Sequence, residues 1–184
     1  MPPKLIISRP VSSADQFARD VQSALGREVA CIFSPAYDIV FLPFEIGQKP
    51  EGYVFTSANG VAAAARAGVS GRAWCVGDRT AQLATDAGFD AISAQGDVDD
   101  LFSTIVQHRP KGPILHLAGK NTRGDLGPRL KAQGIRCDTL TVYDQVLLLP
   151  SRDLIEAAQG ADPLVIPLFS PRAVFILGVN EVQA

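Results

Sequence analysis

The sequence predicts an α/β protein with parallel sheets, on three observations. Short apolar runs alternate with helical patterns, the connections between them are short, and glycines stand where helices should stop. In order, Leu5–Ser8 reads as a strand and Ala14–Leu25 as a helix ended by Gly26. Val29–Phe33 is the next strand. Tyr53–Thr56 then leads to a helix over Gly60–Ala67, closed by Gly68, and Ala73–Gly77 to one over Thr80–Ala87, closed by Gly88. Ala91–Ala94 precedes a helix at Asp99–His108, and Ile114–Ala118 precedes one at Gly124–Gln133, ended by Gly134. Cys137–Tyr143 and Leu164–Phe169 are the last two strands. Most of the helical segments carry apolar residues at i, i+3 and i+4, and glycine favours the left-handed turn that follows a helix.

Two stretches break the alternation, Ala36–Phe44 and Thr139–Pro150. Each is extended and apolar, follows a strand–helix–strand unit and contains Tyr-Asp, at Tyr37-Asp38 and Tyr143-Asp144. Aligned on these pairs, LIISRPVSSADQFARDVQSALGREVACIFSPAYDIV and ILHLAGKNTRGDLGPRLKAQGIRCDTLTVYDQV share one plan. A second echo pairs YVFTSANGVAAAARAG with VIPLFSPRAVFILGV, matching Ser57 to Ser170 and Val61 to Val174. Two matches in consistent order point to a duplicated domain. The layout predicted is a discontinuous first domain, residues 1–36 and 148–184, and a second domain with the crossover strands, residues 37–147. Both are parallel-sheet, flavodoxin- or Rossmann-like domains, joined by a two-stranded ladder. Residues 45–140 hold five strands for the second domain, whereas the first lacks the counterpart of residues 71–108. The repeat therefore predicts a truncated first domain, short by about 40–60 residues.

Composition excludes several functions. With 47% hydrophobic and 20% charged residues the chain is globular, and a net charge of −2 argues against a nucleic-acid binder. No apolar run approaches the ~20 residues that cross a bilayer, and the start shows no signal peptide. A cytoplasmic monomer is expected, with a small molecule as its partner. Cys31, Cys75 and Cys137 are far apart in apolar runs, which suits buried small hydrophobes. Two histidines and no CxxC offer no metal site.

In parallel sheets ligands bind beyond the carboxyl ends of the strands. The turns there are Ser8-Arg9-Pro10, Thr56-Ser57-Ala58-Asn59-Gly60, Gly77-Asp78-Arg79-Thr80, Gly119-Lys120-Asn121-Thr122-Arg123 and Ser170-Pro171-Arg172. Hydroxyls, free N–H groups and Arg or Lys suit carboxylates or phosphates. Each turn taken singly is also explained by N-capping through Ser57, Thr80 or Ser170. Five of them facing one cleft favour a polyanion site. No phosphate-loop motif supports a nucleotide. His116 reads as a core histidine, His108 as a surface cation at a helix end, and Asp97, Asp99 and Asp100 as an acidic helix start. Tyr143 closes its strand at the crossover. There it is either a packed ring or a proton donor, since a phenol, with an ordinary pKa of about 10, is protonated at neutral pH.

FTSANGV, VGDRTAQLATDAGF, LHLAGKNTRGDLGPRLKAQGIRCDTLTVYDQV and LFSPRAV resemble, in order, the motifs of the uroporphyrinogen-III synthase family, and LIISRP fits its start. The resemblance covers nearly all the chain and implies two α/β domains with the substrate between them. It implies a cofactor-free lyase of haem biosynthesis that closes hydroxymethylbilane to uroporphyrinogen III with ring D inverted and water lost. In such a reaction the pyrrole nitrogen expels the hydroxyl to give an azafulvene, and a spiro intermediate precedes inversion. Tyr143 then corresponds to the tyrosine that assists hydroxyl departure. Arg9, Thr56, Ser57, Ala58, Thr80, Gly119, Lys120 and Ser170 correspond to the substrate-binding turns, with no metal and no cofactor. A second reading of the same fold is a ligand-binding or sensor module without turnover, and a third is a flavodoxin-like or Rossmann enzyme with a bound chromophore.

Overall fold

The computed structural model describes residues 2–122 and 124–168. In chain order it begins with β1 (Lys4–Ile7), α1 (Val11–Leu25), β2 (Cys31–Phe33) and β3 (Tyr37–Phe41). The middle comprises β4 (Gly52–Phe55), α2 (Ala58–Arg66), β5 (Arg72–Cys75), α3 (Asp78–Asp86), β6 (Asp90–Ser93) and α4 (Val98–His108). Then come β7 (Ile114–Gly119), α5 (Leu126–Ala132), β8 (Cys137–Leu147), α6 (Arg152–Gln159) and β9 (Leu164–Val165). The chain divides into two compact units, Met1–Ile39 with Val146–Ala184, and Val40–Gln145. Both crossings fall inside strands, β3 on the way out and β8 on the way back.

In the first unit β1 lies between β2 and β9, parallel to both. Helix α1 lays Ala14 and Ala18 on Leu5 and Ile7, and Gly26 stops it at φ +62°, a conformation a side chain would strain. The four buried residues of this cluster include only two large side chains.

The second unit is built on a larger sheet, ordered β3-β8-β7-β4-β5-β6. Strands β4, β5, β6, β7 and β8 pair in parallel. At the β3 edge Leu42 N bonds Val142 O and Leu148 N bonds Ala36 O, so positions rise along β3 as they fall along β8, and the two strands are antiparallel. The chain starts in the middle at β4, steps outward through β5 and β6, then returns to β7 on the other side. Successive side chains of a strand point to opposite faces. Val54 and Trp74 join Leu101 and Ile105 of α4 and Leu126 and Leu130 of α5 in one core. Tyr53 and Phe55 face the other way, where Phe89 closes edge-on against both rings at 5.8 and 5.1 Å. A fully buried large apolar side chain contributes about 1.5–3 kcal/mol, so this unit carries most of the apolar stabilisation. Trp74 is 1% exposed, and its indole nitrogen is a buried side-chain donor without a partner among the described residues.

The fold is mixed α/β with parallel sheets, and four details differ from expectation. The larger sheet has a sixth strand beyond the five parallel ones, because the extended stretch after Ala36 adds β3 to its edge. Strand β8 runs on to Leu147, four residues past Tyr143. Helix α6 falls where the sequence predicts no regular element, although Ser151 caps it by accepting from Leu154 N at 3.2 Å and Leu154 is buried. The strand expected over Leu164–Phe169 is confined to Leu164–Val165 among the described residues. Phe169 and all later positions, including Ser170, Arg172 and Val174, lie outside the described residues.

Candidate functional site

Within the second unit, three turns leave the carboxyl ends of β4, β5 and β7. After β4, Ser57 is extended (φ −155°) and its Oγ accepts from Asn59 N at 3.2 Å, a helix N-cap. Ala58 is the first residue of α2. Gly60 lets that helix press onto β7, for a Cβ there would collide with the Leu117 carbonyl oxygen. Just before the cap, Thr56 Oγ1 and His116 Nε2 are 3.0 Å apart. This bond spans β4 and β7, the place where the strand order reverses and where open α/β sheets hold ligands.

The turn after β5 is built differently from expectation. Helix α3 starts earlier, with Gly77 at the N-cap, so Thr80 lies within the first turn and caps nothing. The residue is buried, 8% exposed, and its hydroxyl has no hydrogen-bond partner among the described residues. Asp78 Oδ1 instead accepts from Ser93 Oγ at 2.6 Å and ties the turn to β6.

The turn after β7 is the most constrained. A register shift at Ala118/Gly119 sets Gly119 opposite Tyr143, and Lys120 N donates to Tyr143 O at 2.9 Å. Such an irregularity re-aims side chains at a strand end. The Tyr143 ring lies directly over Gly119: a Cβ there would meet ring carbons at 2.6 Å and the hydroxyl oxygen at 2.9 Å. Tyr143 therefore sits inside β8 and not at its end, and it is 9% exposed. No described residue hydrogen-bonds its hydroxyl, which is also absent from the buried unpartnered polar atoms, so the phenol keeps an open side. Asp144 pairs with Lys120 Nζ at 3.2 Å and lies 3.4 Å from Asn121 Nδ2. Lys120 is thus not a free cation, yet its side chain is 67% exposed, and such a pair is worth at most about 1 kcal/mol. Arg123, in the same turn, lies outside the described residues.

In the first unit Ser8 is buried after β1, and the Arg9 guanidinium lies 5.3 Å from the centre of the Phe17 ring. The helix start at Asp97 is a complete capping box with Asp100, as an acidic cap should be. His116 is 3% exposed, and burial pulls its pKa down to about 4, so the imidazole is neutral at pH 7. Burial pushes the Cys75 thiol up to about 12. It pushes Cys137 up to about 11, with Asp138 adding to the rise and the His116 backbone opposing it. Neither thiol is a nucleophile at neutral pH. Cys31 and Cys137 are only half-buried, a modest departure from the expected core cysteines. Among the described residues no three His, Cys, Asp or Glu side chains gather as metal ligands would. No described helix is long and apolar enough to cross a membrane.

Sequence reasoning missed the Thr56–His116 bond, the seat of Tyr143 on Gly119 and the hold of Asp144 on its turn. The Tyr-Asp pair marked the repeat, but only strand register places these groups together.

Strand order, helices on both sheet faces and ligand-type turns at the carboxyl ends define a doubly wound α/β protein. The family model described as uroporphyrinogen-III synthase HemD matches residues 17–177. The chain belongs to the uroporphyrinogen-III synthase family, enzymes of porphyrin biosynthesis that act on a tetrapyrrole. Uroporphyrinogen-III synthetase from Helicobacter pylori 26695 has a similar fold, with a TM-score of 0.67 at 14% identity over 100% of this chain and 80% of that one. A mutant uroporphyrinogen III synthase from the extremely thermophilic bacterium Thermus thermophilus gives a TM-score of 0.57 at 14% identity, over 95% and 75% of the two chains. No curated protein matches the chain.

Proposed function

We propose that this chain closes hydroxymethylbilane to uroporphyrinogen III by positioning, with Tyr143 as proton donor and without a cofactor. The family match over residues 17–177 carries the activity. What supports the mechanism is the fixed seat of Tyr143, whose ring is held over Gly119 while its hydroxyl stays unpaired among the described residues. The pyrrole nitrogen of the substrate expels the hydroxyl group, and the Tyr143 phenol donates a proton or hydrogen bond to it as it leaves. Ring D of the resulting azafulvene must then be held so that attack falls on its substituted carbon. Holding reactants in line can lower a barrier by up to about 7–11 kcal/mol without a strong acid or base, which is enough to choose between isomers.

The carboxylate arms supply the handles. Ser57, the N–H groups opened at Ala58, Thr56 and Lys120 are the proposed contacts in the second unit, with Gly119 supplying backbone. Arg9 is the contact proposed from the first unit, and Ser170 remains a proposal from the sequence. Thr80 is retained as a first-turn residue near the site, its hydroxyl without a hydrogen-bond partner among the described residues. An arm can displace Asp144 from Lys120 because their exposed pair is weak. We place the enzyme in the cytoplasm as a monomer of two domains, residues 1–36 with 148–184 and residues 37–147, acting on a small molecule and not on nucleic acid or membrane.

The test is incubation of the protein with hydroxymethylbilane, followed by oxidation and separation of the porphyrin isomers. Isomer III in excess of the spontaneous product is expected. Isomer I alone, at the uncatalysed rate, would leave only a binding module.

A further inference from the structure

His116 is buried in the middle of the sheet, yet one side of its ring opens onto a pocket. Register puts Val54, His116 and Thr139 in one row on the face covered by α4 and α5. Beyond that row, at the carboxyl ends of the strands, lies a pocket of about 150 Å³. Thr56 and His116 line it from β4 and β7, Thr139 from β8, Thr122 and Gly124 from the turn, and Val98 from the start of α4. No charged side chain lines it among the described residues.

Its polar groups are arranged for an acceptor. Nε2 of His116 is taken by Thr56, and no described group bonds Nδ1, which is not among the buried unpartnered atoms either. Nδ1 therefore keeps access to open space, and the pocket is what His116 lines. In the tautomer where the Thr56 hydroxyl donates to Nε2, the neutral ring carries its proton on Nδ1 and presents a donor there. Thr139 offers a second hydroxyl with no partner among the described residues. Thr122 donates to the Gly119 carbonyl, so its own proton is already committed.

Size then selects the ligand. Sites for whole small molecules hold about 300–1,000 Å³, which excludes a tetrapyrrole from this pocket. At about half the lower end of that range, the pocket has room for the few heavy atoms of one side arm. Resting on the proposed function, we infer that the pocket is a subsite for one carboxylate arm of the bilane, which accepts from His116 Nδ1–H and the Thr139 hydroxyl. The arm enters at the point where strand order reverses, beside Thr56, and so fixes one pyrrole ring against the second unit. A charged acceptor strengthens both bonds, since hydrogen bonds to ionised groups are about twice as strong as neutral ones.

The experiment uses the full chain and the variants His116→Phe, His116→Gln and Thr139→Val. Initial rates of isomer III formation give KM and kcat, and quenching of Trp74 fluorescence by uroporphyrin III, a stable octacarboxylate, gives Kd without turnover. His116→Phe and Thr139→Val are each expected to raise KM and Kd about tenfold, the effect of losing one hydrogen bond to a charged group, with kcat within about twofold. His116→Gln keeps an N–H donor and should recover part of the loss. Thr139 lies at the exposed rim, so Thr139→Val decides the matter if His116→Phe lowers the melting temperature sharply. Wild-type KM and Kd in both variants would overturn the subsite. A wild-type chain that makes no isomer III would instead overturn the proposed function, while the porphyrin titration would still report on the pocket.

Discussion

Gly119→Ala is the sharpest probe of the seat beneath Tyr143. The added Cβ would stand 2.6 Å from two ring carbons and 2.9 Å from the hydroxyl oxygen. Carbon atoms ordinarily approach no closer than about 3.5–4.0 Å, so the ring must retreat by about 1 Å. It cannot do so with its strand, because Lys120 N holds Tyr143 O at 2.9 Å and β7 and β8 pair along their length. The ring must leave its rotamer, and overpacking of this kind costs about 1–3 kcal/mol. Gly119 has no positive φ, so the steric effect is tested without backbone strain. A displacement near 1 Å at a proton donor can also lower the rate by up to about 100-fold. Urea unfolding of Gly119→Ala, of Tyr143→Ala and of the double variant measures the coupling. If the collision is the cause, the alanine at 119 should cost little once the ring is gone, giving a coupling of about 1–2 kcal/mol. Equal losses in both backgrounds would refute the contact and with it the argument for why glycine stands there.

Three further outcomes are expected. Tyr143→Phe should slow isomer III formation by about 10²–10⁴-fold with an unchanged melting temperature, whereas a large fall in melting temperature would make the tyrosine structural. His116 titrates at about 4 in the fold and near 6.5 in the unfolded chain, so the unfolded chain holds the extra proton between these values. Stability should therefore be complete above about pH 6.5 and fall by about 3 kcal/mol as pH drops to 4, a slope that urea titrations of His116→Gln should show flattened. Hydrogen exchange should find weaker protection in β1, β2 and β9 than in β4, β5 and β7, because the first unit buries two large side chains in its cluster and the second buries eight.

The sequence made the parallel α/β class legible because its strands are short apolar runs and its helices end in glycine. Gly26, Gly68, Gly88 and Gly134 all take positive φ, which is why punctuation alone located four helix ends. Boundaries slipped where the local signal was mixed. Thr80 has the chemistry of a cap, yet the helix already begins at Asp78 after the extended Gly77, so Thr80 falls within the first turn. Helix α6 is hidden by the apolar run before Pro150, which continues the extended pattern past the true end of β8. Ser57 is legible as a cap because its chemistry is local. Tyr143 is legible as a candidate from the Tyr-Asp repeat, but its seat is not, since that depends on a register shift between two strands. The Thr56–His116 bond joins residues sixty positions apart, and no spacing within either segment announces it.

The only tryptophan of the chain has an optical consequence. Trp74 is buried in the core of the second unit, with the His108 ring edge-on at 6.4 Å between centroids. Its emission therefore reports the state of Val40–Gln145 and is blind to melting confined to Met1–Ile39 with Val146–Ala184. A fluorescence melt and a far-UV circular dichroism melt of the same sample should part company if the first unit loosens earlier. Cys31 supplies the complementary signal, since it is the one thiol among the residues of that unit, and burial keeps it from ionising readily. Thiol labelling that starts at Cys31 while the indole emission is still unchanged would resolve the two units in a single unmodified chain.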